Sequence, residues 1–197
     1  MAWIIHDIRT AKPQSGFRYL FDANIWLAVL DTTFSHRTLQ PYINFFDSII
    51  NETDVRDATI AVPATLLSEV INRMLKDVFY KEFVQTNTPV PGERNHFKNV
   101  YRKHPQYKID LDNTCALIRA YHRKIEFVSD GIDQYKCRDL IKNIPVHLDI
   151  NDYLYSKMAL QQGLVIVTND SDFAVEDIHI ITSQQALIQL NPPAGSS

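Results

Sequence analysis

Four acidic side chains occupy places along this sequence where an enzyme site would need them. Asp22 and Asp170 each directly follow an apolar run that predicts a buried strand. Asp152 opens a predicted helix, and Glu69 lies in the second helical turn after a third apolar run. Ligands bind to open parallel sheets outside the carboxyl ends of the strands. The acids are therefore candidates for a catalytic site at that edge, provided that the helix of Asp152 also begins there.

Each acid also has an ordinary structural interpretation. Asp22 can cap the helix that begins at the next residue, and Asp170 can form an Asx turn. Asp152 can complement a helix dipole, with Asp149 as the cap three residues earlier. Helical spacing puts Glu69 nearly opposite the apolar stripe of its helix, where it can pair with the arginine four positions later. Taken singly, the acids leave both interpretations open.

The elements that must position these acids alternate along the chain. Buried or β-prone strands are predicted at residues 17–22, 58–63, 164–168 and 178–182. Helices are predicted at residues 23–30, 36–50, 63–85, 151–162 and 183–190. Alternating helices and fully apolar strands indicate a parallel sheet that is covered on both faces. The middle, residues 86–145, breaks this alternation with a loop, a helix at 110–124 and a further amphipathic segment.

Composition narrows the protein class. The 197 residues carry a net charge of −3 and are 45% hydrophobic, which is typical of a soluble globular protein. We expect one domain over residues 1–190 and a disordered tail at 191–197. Five separated glycines exclude dinucleotide and phosphate-binding glycine loops, and two isolated cysteines argue against structural zinc. With no membrane-length apolar run and no secretion signal, we expect a cytoplasmic protein.

Taken together, the acids resemble those of the PIN-domain nucleases. That family combines a strand ending in D-x-N, a helix with S-E, a helix with D-x₇-L, and a closing G-x-x-x-V-T-x-D-x-D-F. The matching residues are Asp22-Ala-Asn24, Ser68-Glu69, Asp152 with Ala159-Leu160, and Gly163 with Val167-Thr168-Asn169-Asp170-Ser171-Asp172-Phe173. The resemblance spans residues 17–85 and 146–185, and its closing motif is the most specific part. The long middle departs from compact family members.

The resemblance implies a fold and a chemistry. The fold would be a three-layer α/β/α domain with a central, mostly parallel sheet and a helical insertion at about 86–145. One or two Mg²⁺ or Mn²⁺ ions would be held, directly or through water, by Asp22, Glu69, Asp152 and Asp170. Asn24 and Thr168 would orient carboxylates or phosphate, and Asp172 would be an auxiliary acid. Hard divalent cations do prefer such oxygen ligands, and they can activate water for phosphodiester hydrolysis.

The middle of the chain concentrates positive charge. Residues 76–142 hold 13 Lys and Arg against 9 Asp and Glu, a net +4, whereas the rest of the chain holds 7 against 14. This distribution suits a basic flank for a polyanion or an ordinary solvated surface. The tentative RNA-binding residues are Arg102, Lys103, Arg119 and Arg123. Tyr101, Tyr107 and Tyr121 lie among them in the sequence, where they can stack on bases or pack between helices.

The resemblance leads to one preferred function and two alternatives. The preferred hypothesis is an RNA endonuclease that acts as the toxin of a toxin–antitoxin pair, with an antitoxin protein partner and a homodimeric assembly. A housekeeping RNA-processing nuclease of the same fold is the first alternative. The second is a catalytically silent PIN module that binds RNA or a protein. The complete acidic set argues against the silent module, because a degenerate site would be expected to lose an acid.

Overall fold

A computed structural model describes residues 2–31, 37–89, 94–142 and 144–191. Six short strands form one sheet in the order β1-β6-β5-β2-β3-β4, and every neighbouring pair is parallel. The strands are β1 Ile4–Asp7, β2 Arg18–Phe21, β3 Thr59–Pro63, β4 Ile125–Val128, β5 Val165–Val167 and β6 His179–Thr182. The predicted α/β class with a parallel sheet is confirmed.

Helices connect and cover the strands. They are α1 Ala23–Leu30, α2 Gln40–Asn51, α3 Ala64–Arg73, α4 Tyr80–Thr86, α5 His96–Asn99, α6 Pro105–Ala120, α7 Cys137–Lys142, α8 Ile150–Gln162 and α9 Gln185–Ile188. Right-handed crossovers place the helices between β2 and β4 on one face of the sheet. The return from β4 to β5 puts α8 on the other face, which gives the expected three layers.

The core lies between the sheet and these helices. Strands β2, β3 and β5 are almost fully buried, because both of their faces are covered. On one face, Trp26 and Tyr121 pack edge-on against Phe46 at 5.2 Å each. On the other, Met158 and Ala159 of α8 are buried against the sheet. This rigid centre fixes the positions of the strand ends and of the helix starts beside them.

The structure refines several predicted boundaries. The predicted 63–85 helix consists of α3, a π-helical turn at Met74–Phe79, and α4. The predicted 110–124 helix begins earlier and ends earlier, as α6, because Pro105 is well suited to a first helical turn. The middle of the chain is mainly helical, as expected, but it also supplies the edge strand β4. Of the predicted tail, residues 192–197 lie outside the described residues.

Strands β1 and β4 were not predicted. Each has only four residues, and the burial pattern of β4 is mixed because it forms one edge of the sheet. A run this short that includes a charged residue carries too little alternation to indicate a strand. Among the described residues, no helix is both long enough and apolar enough to cross a membrane.

Candidate active site

The carboxyl ends of β2 and β5 lie side by side at one edge of the sheet. The backbone N–H of Asp22 donates to the carbonyl of Val167 at 3.0 Å, so the two chain segments are still joined where the strands end. Asp22 follows β2 at this point, and the segment from Thr168 to Asp170 follows β5. The parallel pairing of β2 with β5 therefore brings together two parts of the motif that are far apart in sequence.

Asp22 is held by three hydrogen bonds from two neighbours. Its side chain caps α1 by accepting from the backbone N–H of Asn24 at 3.1 Å, as the capping interpretation predicted. The Asn24 amide also donates to Asp22 at 3.4 Å, and the buried Thr168 hydroxyl donates to Asp22 Oδ2 at 3.1 Å. The capping role and the site role are therefore compatible, because the cap orients the carboxylate at the sheet edge.

The loop after β5 orients the second acid. The backbone N–H of Asp170 donates to the Thr168 hydroxyl at 3.0 Å, and Asp170 Oδ1 accepts from the backbone N–H of Asp172 at 2.8 Å. The latter contact is the predicted Asx turn. Thr168 consequently links Asp22 to Asp170 through its hydroxyl. The Asp172 side chain is exposed and accepts from Ser171 at 3.2 Å.

The first turn of α8 supplies Asp152. Asp149 caps this helix by accepting from the backbone N–H of Asp152 at 2.9 Å, as predicted. The helix ends at Gly163, whose φ of +64° suits glycine in a left-handed helix terminus. Asp152 thus lies at a helix start, where the backbone dipole favours negative charge.

Glu69 does not point into solvent toward an arginine. Arg73 instead pairs with Asp77 at 3.3 Å, so the proposed ion pair of Glu69 with Arg73 is wrong. Glu69 Oε2 accepts from the Asn151 amide at 3.0 Å and from the Tyr155 hydroxyl at 3.1 Å. Glu69 therefore contacts α8 and not solvent-side Arg73, which helical spacing within α3 alone cannot reveal.

The acids influence one another electrostatically. Burial is the main cause that raises the pKa of Asp152 to about 7, and the negative charge of Asp149 contributes next. The charges of Asp22, Asp170 and Glu69 also raise the pKa of Asp152. Burial likewise raises the pKa of Asp22, although its hydrogen bonds with Asn24 and Thr168 oppose that shift. The structure therefore brings all four predicted acids into one electrostatic neighbourhood.

The donor chemistry of this neighbourhood fits a hard divalent cation. The ion pairs found among the described residues involve none of these four acids, so their charges lack a protein counter-ion there. Within the same residues, no three His, Cys, Asp or Glu side chains already have the spacing of a metal site. The side chains of Asp22, Glu69 and Asp170 are instead held by hydrogen bonds from neighbouring polar groups. The residues that could hold an ion are Asp22, Glu69, Asp152 and Asp170.

The aromatic residues of the middle segment serve mainly in packing. The Tyr101 ring is fully buried, and its hydroxyl donates to Asp110 at 2.6 Å. The Tyr121 ring packs against Phe46 and Trp26. For Tyr101 the packing alternative is therefore confirmed, since a base could not reach the face of a buried ring. Tyr121 is partly buried and also packs against the core.

The predicted RNA-binding cations are exposed but dispersed. Arg102 lies over the Phe97 and Tyr107 rings, at 5.4 and 5.8 Å from their centroids, and Lys103 follows it. Arg119 lines an apolar groove.

Arg123 directly precedes Lys124, whose ammonium group donates to carbonyls in the segment just before β3. That segment is at the amino ends of the strands, so Arg123 lies toward the edge opposite the acids.

Sequence reasoning missed the partners of Glu69. Asn151 and Tyr155 flank Asp152 on α8, and they are 82 and 86 residues from Glu69 in sequence. Their only sequence signal is the spacing of four, which puts both side chains on one helical face. Nothing in that spacing identifies α3 as the helix that they contact.

The sequence matches no known protein-family profile, and no characterised protein is similar to it in sequence. Its structure is similar to that of PAE2754 from Pyrobaculum aerophilum, with 15% identity, a TM-score of 0.47, and coverage of 89% of this chain and 96% of that one. It is also similar to VapBC2 from Rickettsia felis, solved with a DNA fragment from its promoter. There the identity is 13%, the TM-score 0.46, and the coverage 84% of this chain and 98% of that one. Neither likeness is close enough to assign an activity.

Proposed function

We propose that this protein is a PIN-type endoribonuclease that depends on Mg²⁺ or Mn²⁺ and hydrolyses RNA phosphodiester bonds. The observation that carries the proposal is the gathering of Asp22, Glu69, Asp152 and Asp170 around the carboxyl ends of β2 and β5. Burial and the charge of Asp149, followed by the charges of Asp22, Asp170 and Glu69, raise the pKa of Asp152. None of the four acids has an ion-pair partner among the described residues. Such an arrangement is costly for a fold unless it binds a cation.

The four acids would bind the cation, and Thr168 would hold two of them in position. One or two bound divalent ions would supply water activation and stabilisation of negative charge on the phosphate. Asp22 and Asp170 would bind from the strand ends, and Asp152 and Glu69 from the two flanking helices. Thr168 would keep Asp22 and the Asp170 loop in register through its two hydrogen bonds.

Protonation of Asp152 would weaken cation binding at the same site. Because its pKa is raised to about 7, Asp152 holds a proton for part of the time near neutral pH. A cation competes with that proton, since carboxylate ligands must be deprotonated. Cation affinity should therefore increase as the pH rises through neutrality.

Cleavage of RNA by the purified protein tests the proposal. We expect cleavage with Mg²⁺ or Mn²⁺ that leaves a 5′-phosphate, and no cleavage in EDTA. Asp22→Asn keeps the size of the side chain but removes its charge, and it should abolish activity. The exposed Asp133→Asn is the matched control and should remain active. Cleavage that persists in EDTA would contradict the metal-dependent mechanism.

We further propose the toxin role, with a protein antitoxin that covers the acidic edge and a homodimeric toxin. This step rests on the motif resemblance. Expression of the chain alone should arrest growth, whereas Asp22→Asn should not. Equal growth of both strains, with cleavage retained in vitro, would favour the housekeeping nuclease. Absence of both growth arrest and cleavage would favour the silent RNA-binding module.

A further inference from the structure

One oxygen of Glu69 receives two hydrogen bonds from the same helix. Asn151 Nδ2 and Tyr155 Oη both donate to Glu69 Oε2, at 3.0 and 3.1 Å. Residues four positions apart lie on one face of a helix, so α8 presents both donors together. Glu69 Oε1 accepts no hydrogen bond among the described residues and remains available to another ligand.

The direction of these hydrogen bonds is fixed by chemistry. An ionised carboxylate can only accept, so the amide of Asn151 must direct its nitrogen, and not its oxygen, toward Glu69. The phenol of Tyr155 carries one O–H, and that proton is the one donated in the hydrogen bond to Glu69.

The same helix also carries an acid of the site. Asp152 lies next to Asn151 and one turn before Tyr155. Helix α8 thus holds Glu69 of α3 while carrying Asp152. Loss of either donor should therefore change how Glu69 is held relative to α8.

We propose that Asn151 and Tyr155 are positioning residues that fix Glu69 through Oε2, so that Oε1 would be free to bind a divalent cation at the acidic edge. The inference rests on the proposed metal-dependent function, which it deepens by assigning roles to two uncharged residues. Neighbours that orient a ligating carboxylate change metal affinity by about 10–100-fold when they are removed. A purely structural contact between α3 and α8 would change the stability of the fold without acting through Glu69.

A double-mutant cycle on Mn²⁺ binding separates these roles. The dissociation constant is measured by isothermal titration calorimetry for wild type, Tyr155→Phe, Glu69→Ala and the double variant. We expect Tyr155→Phe to raise the Kd of Mn²⁺ by about tenfold. In the Glu69→Ala background the same change should have no further effect, because the carboxylate that it positions is gone. Asn151→Ala should behave in the same way.

A tyrosine on the same helix provides the matched control. Tyr153 is buried, and its ring contacts the Lys157 ammonium, but its hydroxyl does not bond Glu69 in the described structure. Tyr153→Phe should leave Mn²⁺ affinity unchanged. Tyr155→Phe keeps the ring and its packing. If this variant nevertheless has a lower melting temperature than wild type, Asn151→Ala, at a partly exposed position, serves as the test.

The outcomes distinguish this inference from the proposed function. If Tyr155→Phe weakens Mn²⁺ binding equally with and without Glu69, the positioning role is wrong. It is also wrong if Asp22→Asn abolishes Mn²⁺ binding while Glu69→Ala, Tyr155→Phe and Asn151→Ala leave it intact. If the wild-type protein does not bind Mn²⁺, the proposed function fails, and the inference fails with it.

Discussion

Two regions of this molecule place carboxylates in buried surroundings, and the neighbours of those carboxylates differ between the two regions. In the middle segment, Asp110 is only 4% exposed and each oxygen accepts one hydrogen bond, from Tyr101 at 2.6 Å and Gln106 at 2.8 Å. Around it lies an aromatic cluster, which consists of Tyr80, Phe83, Phe97, Tyr101 and Tyr107. At the sheet edge, burial raises the pKa of Asp152, and the charges of neighbouring acids raise that pKa further.

The contrast separates a carboxylate with a structural role, Asp110, from one for which we propose a catalytic role, Asp152. Buried polar groups stabilise a fold when their hydrogen bonds are satisfied, as those of Asp110 are. Like charges at short range destabilise it, and natural proteins retain them mainly where function requires them. The aromatic cluster therefore explains how the middle segment holds its shape, whereas the acidic edge is where we propose that catalysis takes place.

The largest expected effect is on catalysis at the acidic edge. Asp170→Asn should reduce the rate of RNA cleavage by at least about 100-fold, which corresponds to roughly 2.7 kcal/mol of transition-state stabilisation. Asp110→Asn in the aromatic cluster should leave the rate of the folded protein almost unchanged. Single-turnover cleavage at saturating Mg²⁺ measures both. A similar loss in the two variants would remove the distinction between the regions.

For the free energy of unfolding, we expect the larger effect from the Asp110 region and not from the acidic edge. Asp110→Ala leaves the buried Tyr101 hydroxyl without an acceptor and should lower the free energy of unfolding by about 1–3 kcal/mol. Asp112→Ala is the control, because Asp112 is exposed and forms a surface ion pair with Lys108. Its effect should stay within about 0.5 kcal/mol. Urea unfolding in EDTA measures both, and equal midpoints would show that the Asp110 network adds no stability.

The pH dependence of the metal-free fold should follow the acidic edge. The pKa of Asp152 is about 7 in the folded protein against 3.8 as its ordinary value, so the native state binds this proton more tightly than the unfolded state. Its contribution to stability is complete below pH 3.8 and is lost as the pH rises to about 7. The raised pKa of Asp22 acts in the same direction.

In EDTA, the melting temperature should therefore fall between pH 4 and pH 7 by more in wild type than in Asp152→Asn. Parallel curves for the two proteins would show that Asp152 does not titrate in this range.

The smallest effect concerns the basic residues of the middle segment. Arg102→Ala combined with Lys103→Ala should weaken RNA binding and flatten its dependence on log salt by about one to two units of slope, as two lost phosphate contacts predict. Arg123→Ala, toward the opposite edge of the sheet, should have less effect. Fluorescence anisotropy at several salt concentrations provides the comparison. Unchanged slopes would assign Arg102 and Lys103 to an ordinary solvated surface.

The sequence predicts the strand ends better than it predicts the contacts between helices. Asp22 and Asp170 could be placed because each follows an apolar run that forms a buried strand, and parallel strands end at a common edge. The hydrogen-bond partners of Glu69 could not be predicted, because hydrophobic periodicity shows only which residues share a face of one helix. The contact of Glu69 with Tyr155 depends on how two helices meet across the end of the sheet.

In the middle segment, too, the sequence does not predict which side chains pack between helices. Tyr101 and Arg102 are adjacent in sequence, which suggested a surface for RNA. Tyr101 is nevertheless buried, whereas Arg102 is exposed and covers the edge of the aromatic cluster. Composition shows that a segment is aromatic and basic, but only the packing of α4, α5 and α6 decides which side chains turn inward.

Thermal melting of wild type and Asp152→Asn, each in EDTA and in Mg²⁺, tests most directly whether the acids form a repulsive cation site. Above pH 7, where Asp152 is mostly ionised, Asp152→Asn removes one charge and keeps the shape, so it should melt above wild type in EDTA. Mg²⁺ at 100 times its Kd should stabilise wild type by about 2.7 kcal/mol and the variant much less, while Asp133→Asn should follow wild type. If Asp152→Asn melts below wild type in EDTA and gains as much from Mg²⁺, Asp152 is a structural helix-start residue, and the proposed cation site is contradicted.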